Sequence, residues 1–282
     1  MNMKNKICIV TGASQGIGKA TAAGLARMGA EVLMISRDHE RALLARDEIT
    51  EQTGNKNIHL ELADLSSIDS VRELAKRLSW RYPAVNVLIN NHGALFDTYR
   101  LSVDGVEMTF ALNHLSYFLL TNLLIDNLKR SSGRIVNVSA YVHINIEHDF
   151  LTQPVSPDTY NPWDAYCQSK LANILFTYAL ARRLEGTATT VNCLHPGTAQ
   201  TVALKTAREI YTHLHGPTEF SQPGPLEAAA ETSLYLSTSP KVQGVSGKFF
   251  MNCEAVPSSD LSYDMALQEK LWQLSAQLTG LR

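Results

Sequence analysis

The chain has 282 residues, 45% of them hydrophobic, and a formal net charge of -2. That length suffices for one buried core and is short for two ordinary domains, and the near-neutral balance gives no footprint for nucleic acid or another polyanion. Four cysteines (Cys8, Cys167, Cys193 and Cys253) lie far apart without metal-ligand spacing, most of them in apolar runs. They read as buried free thiols in a reducing compartment. The opening MNMKNKICIVTG has too short an apolar run for a signal peptide. No window approaches the ~18–20 apolar residues of a membrane span. A soluble, cytoplasmic protein without a metal is expected.

In chain order, short runs rich in β-branched residues alternate with longer segments of helical period. Lys6 to Thr11 reads as a strand, Gly18 to Gly29 as a helix, Glu31 to Ser36 as a strand, and His39 to Gly54 as a charged amphipathic helix closed by its glycine. Asn57 to Leu62 is a third strand, Ser66 to Trp80 a helix, Val85 to Asn90 a fourth strand, and Val103 to Lys129 one long helix. Arg134 to Ser139 is a fifth strand, Ala165 to Leu184 a helix, and Thr189 to His195 a sixth strand. A helix over Leu226 to Ser237, a strand over Lys248 to Met251 and an amphipathic tail over Leu267 to Leu278 complete the pattern. Such alternation predicts an α/β fold, a parallel sheet covered by helices on both faces. With no interdomain linker, the chain, 1–282, reads as one domain. Two stretches, 140–163 and 198–225, read as irregular loops and as candidates for substrate contact.

TGASQGIG, from Thr11 to Gly18, joins the first strand to the first helix. Gly12 allows a tight turn, while Gly16 and Gly18 let the backbone approach a pyrophosphate at the helix N-terminus. The intervening Ser14, Gln15 and Ile17 belong to the same candidate dinucleotide cradle. At the end of the second strand, ISRD places Ser36 at the tip and Arg37 next. An acid here would bind the 2′-hydroxyl of NAD, whereas a guanidinium can hold the 2′-phosphate of NADP. NADP(H) is therefore favoured over NAD(H); the alternative is a solvated Arg37, with Asp38 as the acid that matters. Asp64, followed by Leu65, can cap the next helix or accept from the adenine amine. NNHG, from Asn90 to Gly93, ends the fourth strand in a turn whose Asn91 and Gly93 can abut the adenosine.

In DAYCQSKLAN, Tyr166 and Lys170 stand four apart and share one helix face. A phenol has pKa ~10. A positive charge ~4 Å away, worth about 4 kcal/mol at an effective dielectric of ~20, would lower it, with burial opposing. Ser139, at the carboxyl end of the fifth strand, can hold a carbonyl oxygen beside that phenol. Asn113 is a polar residue in an otherwise apolar helix. Other groups read as scaffolding: HINIEHD as a solvated stretch rather than a metal site, His195 as a loop-shaping residue, and Cys167 as turned ~100° away from Tyr166. Tyr141, Phe150, Tyr160 and Trp163 can line an apolar pocket or pin their loop.

The glycine turn, NNHG, Asn113, Ser139, the Tyr166–Lys170 pair and the HPG of His195 to Gly197, in this order, resemble the short-chain dehydrogenase/reductase superfamily. Three longer stretches look like its retinol-dehydrogenase-like branch: YNPWDAYCQSKLANILFTYALARRLEG, VNCLHPG and EKLWQLSAQLTGL. The resemblance implies a Rossmann-like, doubly wound sheet of seven parallel strands and a catalytic tetrad of Asn113, Ser139, Tyr166 and Lys170. It implies cofactor contacts that include Tyr166, Lys170, Pro196, Gly197 and Thr198. The implied reaction is reversible hydride transfer between a nicotinamide and a carbonyl or alcohol carbon. Tyr166 exchanges the proton, Ser139 steadies the oxygen, Lys170 acidifies the phenol and holds the ribose, and Asn113 keeps a water for proton relay. His92 stands where the family usually has alanine and is expected to point to solvent. Partners are expected to be a small apolar substrate and, from family habit, a second copy of the chain. The rival reading is a non-catalytic NADP-binding redox sensor, which would commonly lack the tyrosine–lysine pair.

Overall fold

The computed structural model describes residues 2–152, 155–220 and 222–281. Gln153, Pro154 and Ser221, within the two expected loops, and the terminal Met1 and Arg282 lie outside the described residues. Strand β1 (Ile7–Thr11) feeds helix α1 (Gly16–Arg27), followed by β2 (Glu31–Ser36), α2 (His39–Thr53), β3 (Ile58–Leu62), α3 (Ile68–Arg81) and β4 (Val87–Asn90). The ends of α2 follow its sequence: the Asp38 carboxylate accepts from Arg41 N, and Gly54 closes the helix in the left-handed region. The next helix is capped by Ser67, not by Asp64, whose Oδ1 instead accepts from Ser66 N and Ser66 Oγ.

The expected continuous helix over 103–129 is broken. It begins as α4 (Met108–Phe110), widens into a π-turn over Ala111–Leu115, continues as α5 (Ser116–Leu123) and restarts as α6 (Ile125–Arg130). Then come β5 (Arg134–Val138), a 3₁₀ turn (Tyr141–Asn145) and α7 (Pro162–Arg183). Helix α7 starts three residues before the expected boundary, because Asn161 caps it and Pro162 occupies its first turn. After β6 (Thr190–His195), the second expected loop contains a fourteen-residue helix, α8 (Val202–His215), capped by Thr201 and ended by Gly216. Helix α9 (Leu226–Thr238), strands β7 (Phe249–Met251) and β8 (Glu254–Val256), and α10 (Met265–Thr279) complete the chain.

One sheet carries eight strands among the described residues, in the order β3-β2-β1-β4-β5-β6-β7-β8, with β1 through β7 parallel. The expected count of seven misses β8, which turns back antiparallel on β7 through Asn252 and Cys253, both at positive φ. Alternate residues of each strand supply opposite faces. Cys8, Val10, Val32 and Met34 pack under α1, α2 and α9, whereas Ile9, Leu33, Ile35 and Leu88 pack under α3, α5 and α7. The amphipathic tail packs within the subunit: Trp272 of α10 meets Phe118 at 5.0 Å and Phe176 at 5.8 Å, with Arg183 over its ring. The order of the strands reverses between β1 and β4, and the crevice at their carboxyl ends is where open α/β sheets bind ligands.

Phe118 is fully buried, tilted against Phe176 and packed edge-on against Trp272. Phe118→Ala is expected to destabilise the fold by about 3–5 kcal/mol, read as a lower urea midpoint at unchanged slope.

Candidate active site

A cleft of about 610 Å³ opens at that crevice. Its lining includes the expected Gly12, Ser14, Gln15, Gly16, Ile17, Gly18, Ser36, Arg37, Asp64, Leu65, Asn91 and Gly93. The backbone there fits a dinucleotide. Gly12 sits at φ +66, and a methyl on Gly18 would come within 2.3 Å of Gly12 O and 2.4 Å of Asn91 Nδ2. Only an atom-thin turn lets the strand, the helix start and the Asn91 turn close on one another. Pro196, Gly197 and Thr198, and also Tyr166 and Lys170, are outside this lining; Gln200, Thr201, Val202 and Ala203, around the start of α8, occupy it instead. Arg41 also lines the cleft and was not foreseen. Its sequence signal was its place one helical turn beyond the strand tip.

Thr11 ties the turns together. Its hydroxyl accepts from Asn91 N at 2.9 Å, and Asn91 Nδ2 donates to Thr11 O at 2.9 Å. His92 does not point to solvent. Its ring is buried, with Nδ1 2.8 Å from Thr11 Oγ1 and Nε2 2.9 Å from Leu112 O and 2.6 Å from Ser116 Oγ. A carbonyl can only accept, so Nε2 carries the hydrogen and Nδ1 accepts from Thr11. The imidazole thereby bridges the end of β1 to the π-turn, and Tyr117 donates to His92 O at 2.7 Å. Burial pushes His92 down to about 3 and His114, in the same π-turn, down to about 4.

The four residues expected to form a tetrad lie close to one another through shared neighbours. The π-turn brings Asn113 against the turn after β4: Oδ1 accepts from Ala94 N and Nδ2 donates to Ala94 O, both at 2.9 Å, with Ser169 Oγ at 3.1 Å. Its side chain is thus committed to protein partners, and its carbonyl accepts from Asn173 Nδ2 at 3.0 Å. Ser139 donates to Lys170 O at 2.7 Å, which moors β5 to α7. Lys170 is buried, donates to Val138 O at 3.3 Å and stands 5.5 Å from the Tyr166 ring centroid. A side-chain carbon at Gly93 would lie 3.3 Å from its Nζ, so the ammonium abuts the cleft. The expected acidification of the phenol is reversed in direction: burial pushes Tyr166 above its ordinary value and lowers Lys170 to about 8. Loss of water around both charged forms outweighs an attraction across this separation.

A buried chain of amides and hydroxyls supports these groups and was not expected. Asn90 donates to Thr121 and Asn137, Asn137 donates to Thr177, and Thr177 donates to Asn173 O. Asparagines inside the apolar runs VLIN and IVNV were its only signal.

The remaining candidates are accounted for. Cys167 is buried against Asn145 and the α7 core, its thiol pushed up to about 12 by burial. HINIEHD is not the solvated stretch expected: His143 and Ile146 are buried, His143 accepts from Ser259 N through Nε2 and meets Ala140 O through Nδ1, and Asp149 pairs with Lys270. No group of three or more potential metal ligands is found among the described residues, nor a helix long and apolar enough to cross a membrane. Tyr160 pins its loop through Phe96 O, and Phe150 is buried beside Cys167. Trp163 stands 6.3 Å from Tyr166 and 5.0 Å from Tyr211 of α8, while Tyr141 is half-exposed.

This fold and site define an oxidoreductase of the hydride-transferring kind, and the chain belongs to the short chain dehydrogenase family, whose pattern matches residues 6–149. Within it the chain falls in the retinol-dehydrogenase-like branch. Retinol dehydrogenase 13 of Homo sapiens is 40% identical over 286 residues, spanning 98% of this chain and 85% of that protein. Polyprenol dehydrogenase of Homo sapiens is 36% identical over 98% of this chain and 86% of its own length. The crystal structure of an uncharacterised protein from Mycobacterium paratuberculosis superposes with a TM-score of 0.76 at 32% identity, over 99% of this chain and 95% of that one.

The neutral buried imidazoles give stability a definite pH dependence. An unfolded histidine titrates near ~6.5, whereas folded His92 and His114 resist protonation until about 3 and about 4. Below ~6.5 the unfolded chain binds more protons, so stability falls as pH falls, by ~1.4 kcal/mol per pH unit per histidine. His92→Asn is expected to remove about one proton's worth of that slope between pH ~6 and ~4.5. Urea midpoints measured across that window check it; an unchanged slope would mean that folded His92 protonates freely.

Proposed function

We propose that the chain is an NADP(H)-dependent dehydrogenase/reductase acting on a carbonyl or alcohol carbon of an apolar substrate, with Tyr166 as acid and base. One observation carries this reading: Lys170 Nζ lies 5.5 Å from the Tyr166 ring centroid and directly beside Gly93 of the glycine-lined cleft. A bound nicotinamide would supply or accept the hydride. Burial leaves Tyr166 protonated at neutral pH, the form that gives a proton to a substrate oxygen in reduction. Lys170, lowered to about 8, still carries most of its charge there and stabilises the phenolate that proton transfer leaves. Ser139 steadies the substrate oxygen once its hydroxyl turns from Lys170 O. Asn113 fixes the turn at Ala94 against which the nicotinamide end would rest.

The preference for NADP(H) is supported at the tip of β2. Both oxygens of Asp38 already accept from Arg41, Oδ1 from its N at 3.0 Å and Oδ2 from Nη2 at 3.2 Å, so its charge is partly offset by an arginine instead of standing alone to repel a phosphate. Ser36, Arg37 and Ser14 line the same end of the cleft and suit a phosphate. The names of the relatives point to apolar alcohols, and Trp163 beside Tyr166, with Tyr211 packed on Trp163, suits such a substrate.

Tyr166→Phe is expected to reduce turnover by about 10²–10⁴-fold while NADPH binding stays nearly unchanged. An NADPH-consumption screen over diverse aldehydes and ketones, run beside a binding titration, checks it; equal turnover in the variant would remove Tyr166 from the chemistry. Arg37→Asp is expected to raise the Michaelis constant for NADPH far more than that for NADH. An unchanged ratio would take Arg37 out of cofactor selection.

A further inference from the structure

We propose that Tyr117 is a positioning residue for Lys170: its hydroxyl occupies the His92 carbonyl, so that the buried ammonium is held at the Val138 carbonyl, on the side of the Tyr166 ring. This rests on the reading of Tyr166 and Lys170 given above and extends it to a fully buried residue of α5. The pairing of β4 with β5 ends at Asn90 and Asn137. Just beyond it stand the carbonyls of His92 and Val138, and Tyr117 reaches both: its hydroxyl donates to His92 O at 2.7 Å and lies 3.5 Å from Val138 O. Lys170 Nζ donates to the same Val138 O at 3.3 Å. A side-chain carbon at Gly93 would lie 3.3 Å from Nζ, and the His92 carbonyl belongs to the peptide that enters Gly93. His92 O is therefore the next backbone acceptor that the ammonium would meet.

A phenol has one hydrogen to give, and the two distances show where it goes. With that hydrogen on it, His92 O is the poorer remaining acceptor, whereas Val138 O, only distantly approached by the phenol, stays free for Lys170. Burial, and then the neighbouring Tyr166, push the Tyr117 phenol well above its ordinary value, so it remains a donor and does not enter the proton exchange. The edge-on contact with the His92 ring, 4.8 Å between centroids, fixes where its hydroxyl points. The titratable groups around the ammonium are Tyr166 on α7, His92 on the turn after β4 and Tyr117 on α5. No carboxylate is among its contacts in the described residues, so backbone carbonyls decide where it rests. Its stabilisation of a phenolate falls with separation, and an ammonium drawn toward His92 O would leave the position 5.5 Å from the Tyr166 ring centroid.

The test is a crystal structure and a pH–rate profile of the full chain carrying Tyr117→Phe, which keeps the ring and removes the donor. Nζ is expected within about 3.2 Å of His92 O in that structure. In the reduction of trans-cinnamaldehyde by NADPH, kcat at pH ~7 is expected to fall about three- to tenfold. The ammonium, now shared by two carbonyls, keeps its proton longer. The alkaline fall in rate, expected near about 8 in the unaltered protein, therefore moves up by about one pH unit. Loosened packing would lower the rate without moving that limb upward. NADPH affinity is expected to stay within about twofold, and its loss would make Tyr117 a mere structural support and overturn the proposal. An unmoved alkaline limb, or Nζ still on Val138 O alone, would also overturn it. The crystal structure decides by itself if the aldehyde is not turned over. A normal Tyr117→Phe beside an inactive Tyr166→Phe would remove Tyr117 alone, whereas full turnover in Tyr166→Phe would remove the catalytic reading beneath it.

Discussion

The site depends on burying an ammonium group without a carboxylate beside it. Lys170 is 4% exposed, and among the described residues its contacts are a carbonyl and the face of a phenol. An unpaired buried charge is expensive, and the surroundings are arranged to make it tolerable. The Val138 carbonyl at the end of β5 accepts a hydrogen bond from it, and Gly93 leaves its outer side open toward the cleft. Ser139 holds the backbone of the same residue. The price appears as a lysine drawn down to about 8, poised close to the range in which its charge can be modulated.

Rigidity around that group comes from polar atoms placed inside the protein. The amide chain from Asn90 through Asn137 and Thr177 to Asn173 crosses two strands and reaches the back of α7. Asn173 then meets Asn113, and His114 binds both Asn173 and Ser275 of α10. A buried network of this kind, in which Asn90 Oδ1 is left without a partner, fixes relative positions more sharply than apolar packing does. His92 does the same on the cofactor side by joining Thr11 to the π-turn. The two networks meet at the π-turn, where a widened helix lets Asn113 reach Ala94. Such widenings are often found where function needs a side chain displaced from the regular helical face.

Much of this was legible in the residues. The β/α alternation gave the parallel sheet, and the strand-to-helix glycines marked the cleft, because both reflect local backbone demands. The i,i+4 spacing placed Tyr166 and Lys170 together, since helical geometry alone decides it. Other features depend on what lies across space. The run from Val103 to Lys129 is apolar enough to look like one helix, and nothing in its period records the extra residue of the π-turn. His92 was assigned to solvent because a polar ring replacing alanine has no visible partner in one dimension; Leu112 and Ser116 come from another element. The direction of the Tyr166 shift is not legible in the sequence, because pairwise attraction can be reckoned from spacing, whereas desolvation needs the surrounding walls. Helix α8 carries local signals in its Thr201 cap and Gly216 end, whereas the two-residue turn before β8 has a cysteine where glycine is usual.

Docking of α10 has a consequence for the order of events during biosynthesis. Trp272 fills the space behind Phe118 and Phe176, and Ser275 closes the polar contact to His114. Both follow the helix bearing the tyrosine and lysine in the chain, with several elements between. That helix therefore stays uncovered on its far side until α10 has been made. Competence waits on this downstream segment of the nascent polypeptide, and the apolar groove left open until then is a surface that chaperones would encounter.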